Sequence, residues 1–179
     1  MKYIALLRGI NVGGKRKIKM ADLRAMCEKI GLQEVQTYIQ SGNLIFEDSE
    51  EDRSVLEKAL QEQIKARFGF EIPVMMMTQT YLEQVAKNNP FLQQNEDLDT
   101  KLLHVTFLAA APAEDLLNIL EEQETGTDEF KVLDKQVYLY FPNGYGRTKL
   151  TNTVFEKKLQ VAATTRNWRT INKLIHLLK

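Results

Sequence analysis

Gly9, Gly14 and Lys15 are spaced as GxxxxGK, the core of a loop in which backbone N–H groups and a lysine hold phosphates. Arg16 stands where that motif puts the Ser or Thr that ligates magnesium. The next segment with helical periodicity opens near Met20, several residues too late, and the chain then reads as an antiparallel hairpin instead of the parallel crossover such proteins use. No apolar strand ends in an aspartate that could serve as the magnesium partner. The pattern thus departs from a P-loop NTPase while keeping its physical content. Gly9, Gly13 and Gly14 beside Lys15, Arg16, Lys17 and Lys19 make a flexible loop whose amides and side chains favour an anion. The plain alternative is a mobile, solvated loop.

A second cationic stretch lies near the other end. Thr164 or Thr165 reads as the N-cap of a final helix, with Arg166 and Asn167 in its first turn. A basic residue there opposes the helix dipole by about a few tenths of a kcal/mol. That mismatch has a purpose if an anion binds, since helix N-termini and arginine forks both suit phosphate or carboxylate. Otherwise Arg166 simply meets an acid elsewhere in the fold. Arg147 and Lys149, in a loop with Gly144 and Gly146, add two more cations. Lys157 and Lys158 read as the wet face of a helix.

Constellations for catalysis are scarce. His104 and His176 lack a second histidine or an acid at metal-ligand spacing, so no metal site is expected. Cys27, the single cysteine, lies on an apolar helix face and reads as a buried, inert thiol. One cysteine also excludes a disulfide framework. Ser41 precedes Gly42 at a hairpin tip, but no G-x-S-x-G elbow surrounds it. The polar tip Gln40-Ser41-Gly42-Asn43 could contact a ligand, although a plain turn needs nothing more. Met75, Met76 and Met77 fill core gaps. An RNA-recognition sheet would carry an aromatic pattern on its central strands, and NLIFED at 43–48 lacks it.

The elements that must position these residues follow from periodicity. Tyr3–Leu7 reads as a buried strand, and Leu23, Met26, Cys27 and Ile30 recur at helical spacing with Gly31 as the stop. Val35, Thr37 and Ile39 alternate with polar residues, and Ser41-Gly42 reads as a two-residue turn into Asn43–Glu47. EDSEED leads into a helix marked by Val55, Leu56, Leu60, Ile64 and Phe68, and Ile72–Met77 is a strand. That β-α-β-β-α-β order is the split βαβ, ferredoxin-like arrangement. A helix over roughly Gln79–Lys87 stops at Asn89-Pro90. Then come a strand at Lys101–Leu108, a helix at Ala113–Glu121, and a hairpin of Glu129–Leu133 with Gln136–Phe141. Helices close the chain near Thr153–Leu159 and Trp168–Leu178, so a helix stands where the last strand of a second such half would lie. The expected fold class is α+β: two ferredoxin-like (split βαβ) halves with antiparallel sheets, joined by a connecting helix. The halves are 1–77 and 100–179, the latter with two C-terminal helices, and 78–99 is the connecting helix and loop.

Charge is balanced in sum and uneven in place. Lysine and arginine together number 24, as do aspartate and glutamate. Residues 1–21 carry six basic residues and no acid, and residues 147–179 carry eight against Glu156 alone. The stretch between holds the acidic excess. Such asymmetry suits an anion-binding region set against an acidic body, or solvated faces whose signs cluster. Hydrophobic content of 44% and charged content of 27% are those of an ordinary cored protein. No apolar run approaches the roughly 18 residues that would span a bilayer. MKYIALLRGI is too short, and lacks a cleavage signature, to act as a signal peptide. A soluble, cytoplasmic protein is expected.

YIALLRGINVGGK, KMADLRAM, TYIQSGNLIF and the ending RTKLTN…FEKKL…ATTRNWRT resemble a widespread bacterial family of unknown function, the DUF1697 family, along essentially the whole chain. The resemblance implies an α+β fold with ferredoxin-like halves in a cytoplasmic protein, and it supplies no catalytic residues. Its characteristic stretches include Arg8, Gly9, Asn11, Gly13, Gly14, Lys15, Ser41, Gly42, Asn43, Arg147, Lys149, Asn152, Thr165, Arg166, Asn167 and Trp168.

The candidate ligand-binding set is Arg8, Asn11, Gly13, Gly14, Lys15, Ser41, Asn43, Arg147, Lys149, Thr165, Arg166 and Asn167, expected to line a basic cleft between the halves. The favoured function is a binding module for an anionic ligand, a nucleotide or a nucleic-acid phosphate. Two alternatives stand beside it: an enzyme acting on a small phosphorylated or carboxylate substrate, and a protein-interaction module using the apolar stripe Trp168, Ile171, Leu174, Ile175 and Leu178. No cofactor, metal or membrane partner is called for, and the oligomeric state is left open.

Overall fold

The computed structural model describes residues 1–179. It is an α+β protein with two four-stranded antiparallel sheets, and the chain divides into two compact units. Met1–Glu83 together with Leu174–Lys179 form the first, and Gln84–Lys173 the second.

In the first unit the elements are β1 (Lys2–Leu7), α1 (Met20–Lys29), β2 (Gln33–Tyr38), β3 (Asn43–Glu47), α2 (Arg53–Phe68) and β4 (Val74–Thr78), and α3 (Gln79–Lys87) begins there. The sheet order is β2-β3-β1-β4. Tyr3 stands opposite Phe46 on one side and Thr78 on the other. Strand alternation sends Tyr3, Ala5, Leu7, Leu44, Phe46, Val74 and Met76 toward one face, where they pack with Leu23 and Cys27 of α1 and Leu60 and Ile64 of α2. Each leucine, isoleucine, valine, phenylalanine or methionine among them contributes about 1.5–3 kcal/mol by removal from water. Ile4, Leu6, Ile45, Met75 and Met77 on the opposite face are buried too. The acidic run works as a start signal: the Asp52 carboxylate accepts a hydrogen bond from the Ser54 amide and caps α2. Lys2 donates through Nζ to the Leu178 carbonyl, tying the first strand to the last residues of the chain.

The second unit holds α4 (Pro90–Gln94), β5 (Leu103–Leu108), α5 (Glu114–Glu121), β6 (Glu129–Leu133), β7 (Gln136–Tyr140), α6 (Asn152–Leu159), β8 (Ala163–Asn167) and most of α7 (Trp168–Leu177). Its sheet order is β6-β7-β5-β8. Leu108, Val137, Leu139 and Phe141 pack with Leu120, Phe155 and Leu159 in its core.

Two expectations are corrected. The segment at Thr164–Asn167 is a strand, not a helix start: Ala163, Thr164, Thr165, Arg166 and Asn167 pair with β5, with Thr165 opposite Thr106. The β-branched threonines suit a pleated strand, and the cap belongs to Asn167, whose Oδ1 accepts from the Thr170 amide. The second unit therefore runs strand-helix-strand-strand-helix-strand like the first. The turn between β2 and β3 is also longer than two residues. Tyr38 pairs with Asn43, so four residues, Ile39 to Gly42, make the connection. No helix is long and apolar enough to cross a membrane.

Candidate functional site

The loop between β1 and α1 is a built structure. Ile10 and Ile18 are buried at 1% and 2% exposure and anchor its two limbs. Between them Val12 pairs with Lys15 as an isolated bridge, the Lys15 amide donating to the Val12 carbonyl at 3.0 Å. Gly13 and Gly14 carry φ values of +57° and +74°, as a type I′ hairpin turn demands of both central residues. The glycines that suggested a phosphate cradle thus form the tip of a short β-arm. The amides of Asn11, Lys15 and Ile18 donate within the loop, to Arg16 O, Val12 O and Asn11 Oδ1. The arm also presents charge outward. Lys15, Arg16, Lys17 and Lys19 are all exposed, and Val12 at the tip is 64% exposed. The adjoining amino end of α1 has Lys19 at its cap position and no side-chain cap, so its dipole adds to the positive potential.

Asn11 is the clasp. Its Nδ2 donates to the Ile18 carbonyl at 2.9 Å and to the Gln40 carbonyl at 2.8 Å, while its Oδ1 takes the Ile18 amide at 2.9 Å. One side chain thereby closes the arm and ties it to the β2–β3 turn. That turn is fixed from within. Asn43 is fully buried and donates to Tyr38 O and Ser41 Oγ. Gly42, at φ +80°, lies against Leu7 and Ile10 so closely that a Cβ would sit 2.7 Å from Leu7 Cβ. The structure therefore brings Asn11, Gly13, Gly14, Lys15, Ser41 and Asn43 into one neighbourhood, with the two asparagines spent on positioning. Arg8, half-buried, follows β1 at the base of the loop, where its amide donates to Pro73 O.

In the second unit Arg147 and Lys149 line a pocket of about 320 Å³ with Thr125, Thr127, Asp128 and Asn143. The Asn143 amide donates to Thr127 Oγ1 at 2.8 Å and links the two loops that form the walls. Tyr145 stacks on His104 with ring centroids 4.9 Å apart, pinning the turn that carries Arg147. Thr165 points instead into a hydroxyl chain with Thr106 and Asn152, at 2.7 and 2.6 Å. Arg166 is buried, and its guanidinium donates to Thr164 Oγ1 and the Thr165 carbonyl. Asn167 is taken up by the α7 cap. Asp128, Thr125 and Thr127 were not singled out from sequence, because they belong to no motif and only the fold sets them beside Arg147.

The titratable groups fit this picture of a charged surface over a dry interior. Burial, with a minor contribution from Glu28, pushes the Cys27 thiol up to about 12. Burial also lowers the His104 pKa. No three His, Cys, Asp or Glu side chains converge as metal ligands would.

The sequence profile of DUF1697, described as a protein of unknown function, matches residues 1–138. The chain belongs to the DUF1697 family. Among solved structures, this DUF1697 member is similar to a conserved bacterial protein from Streptococcus pneumoniae, with 27% identity, a TM-score of 0.72, and coverage of 99% of this chain and 98% of that one. No functionally curated protein matches.

Proposed function

We propose that this DUF1697 protein is a binding module for phosphate-bearing ligands, nucleic-acid backbone above all, with the β1–α1 arm as its contact. The observation that carries the reading is the arm itself: four exposed cations, Lys15, Arg16, Lys17 and Lys19, on a hairpin held in place by Asn11. A rigid display of this kind loses less conformational freedom on binding than a floppy tail. Side-chain cations supply the long-range attraction. Arg147 and Lys149 are held separately on the second unit. We read both units as ferredoxin-like, supported by their shared strand order and antiparallel pairing. The protein-interaction alternative rests on the stripe Trp168, Ile171, Leu174, Ile175 and Leu178, of which Ile175 is half-buried and the other four are buried.

The test is fluorescence anisotropy with a labelled duplex oligonucleotide at 50 and 200 mM salt. Contact with three or four phosphates predicts a loss of affinity of about 40- to 150-fold across that range, from a slope of about −0.9 per phosphate. A Lys15→Ala, Lys17→Ala double variant should flatten the slope by nearly two. Absence of binding at 50 mM salt, or an unchanged slope in the double variant, overturns the reading.

A further inference from the structure

The pocket in the second unit has a feature that a simple anion site does not need. Asp128 is buried, at 9% exposure, and its side chain makes no hydrogen bond or ion pair within the chain. Its oxygens are not among the chain's buried polar atoms that lack a partner, so the carboxylate opens onto the pocket and its water. It lines the same wall as the hydroxyls of Thr125 and Thr127, facing a loop that carries Arg147 and Lys149. Both cations are exposed and likewise make no ion pair within the chain. For bare phosphate, a carboxylate on the pocket wall would repel the ligand; for structure alone, Asp128 would be expected to pair with one of the two cations that line the same pocket. A ligand bearing opposite charges at its two ends resolves both difficulties. The walls are fixed in advance, by the Asn143–Thr127 hydrogen bond and by Tyr145 stacked on His104. The volume of about 320 Å³ lies at the small end of metabolite sites.

We infer that this pocket binds a small aminated phosphate ester, its phosphate held by Arg147 and Lys149 and its ammonium group by Asp128, with Thr125 and Thr127 taking neighbouring hydroxyls. The inference does not depend on the oligonucleotide reading, which concerns the arm of the other unit. Specificity resides in Asp128: a phosphate ester without the amine meets only the repulsion of this carboxylate, whereas an ammonium forms a charge-assisted bond with it.

Isothermal titration of the full chain with glucosamine 6-phosphate, glucose 6-phosphate and inorganic phosphate tests it. The aminated sugar should bind about tenfold or more tighter than glucose 6-phosphate, and inorganic phosphate more weakly than either. Asp128→Asn should erase the difference between the two sugars. Arg147→Ala should weaken both sugars alike, by about tenfold. If Asp128→Asn does not fold, Lys149→Ala at an exposed position and amide shifts of Gly126 and Gly144 during titration of the unmodified protein carry the same test. Equal affinity for the two sugar phosphates, absence of binding at millimolar concentration, or shifts confined to residues outside the two loops overturns the inference. Lys15→Ala should leave every one of these titrations unchanged.

Discussion

A Gly42→Ala substitution places a methyl carbon 2.7 Å from Leu7 Cβ and 2.8 Å from Ile10 Cδ1. Leu7 belongs to β1 and cannot retreat without disturbing the sheet centre, and Ile10 is the buried anchor of the arm. Two costs add. Holding an L residue at the Gly42 φ of +80° costs about 1–2 kcal/mol, and forcing a methyl into a filled core costs about 1–3 kcal/mol. A loss of about 2–5 kcal/mol corresponds to a fall in melting temperature of about 4–20 °C for a chain of this size. Gly13→Ala is the control. Gly13 also has positive φ, but a Cβ there meets nothing within 4 Å, so only the backbone cost applies. Urea and thermal unfolding of both variants, followed by far-UV circular dichroism, isolate the packing contribution as their difference. If Gly42→Ala is no less stable than Gly13→Ala, the close packing of the β2–β3 turn against Leu7 and Ile10 is not what requires glycine, and the account of how the arm is anchored fails.

Asn11→Ala removes three hydrogen bonds to Ile18 and Gln40 at roughly 1 kcal/mol apiece, so amide exchange at Ile18 should accelerate by tenfold or more; an unchanged rate would refute the clasp. Cys27 should resist a thiol reagent at pH 8 in the native state and react fully once guanidinium unfolds the chain; stoichiometric native labelling would contradict its burial. The raised Cys27 pKa stabilises the fold below the ordinary thiol value and is lost as pH climbs toward about 12, so between pH 9 and 11 wild type should lose a few kcal/mol that Cys27→Ala does not. The depressed His104 pKa works in the opposite direction. Its contribution is present above the ordinary histidine value of about 6.5 and fades as pH falls through the folded value, so an NMR titration of its ring should give a midpoint below that of a model peptide.

Strands with strong alternation were plain in the sequence. The hairpin predicted at Glu129–Leu133 and Gln136–Phe141 forms within one residue of those bounds, because aromatic and β-branched residues flank an Asp134-Lys135 turn whose first residue tolerates positive φ. β8 was not plain. Thr164, Thr165, Arg166 and Asn167 have no apolar period, and threonine ahead of a helical stripe imitates a cap, yet Thr164 and Arg166 are buried because the strand lies beside β5. The arm was half legible. Its glycines and cations were evident, but GxxxxGK pointed to a cradle, whereas the decisive residue was Asn11, whose reach to Ile18 and Gln40 depends on the turn lying next to it. The Asp128 pocket had no local signature at all, since its walls are 15 or more residues apart along the chain.

The last six residues, Leu174–Lys179, are grouped with the first unit and not with the segment that immediately precedes them. During synthesis, the opening 83 residues emerge long before that complement exists. They wait through translation of the whole following unit, about 5–20 s at ordinary elongation rates, with their sheet made but their closing piece still unwritten. A fragment cut after Glu83 would mimic this waiting state. It should melt lower than the same unit in the complete polypeptide and regain stability when a peptide spanning Leu174–Lys179 is covalently appended through a flexible tether.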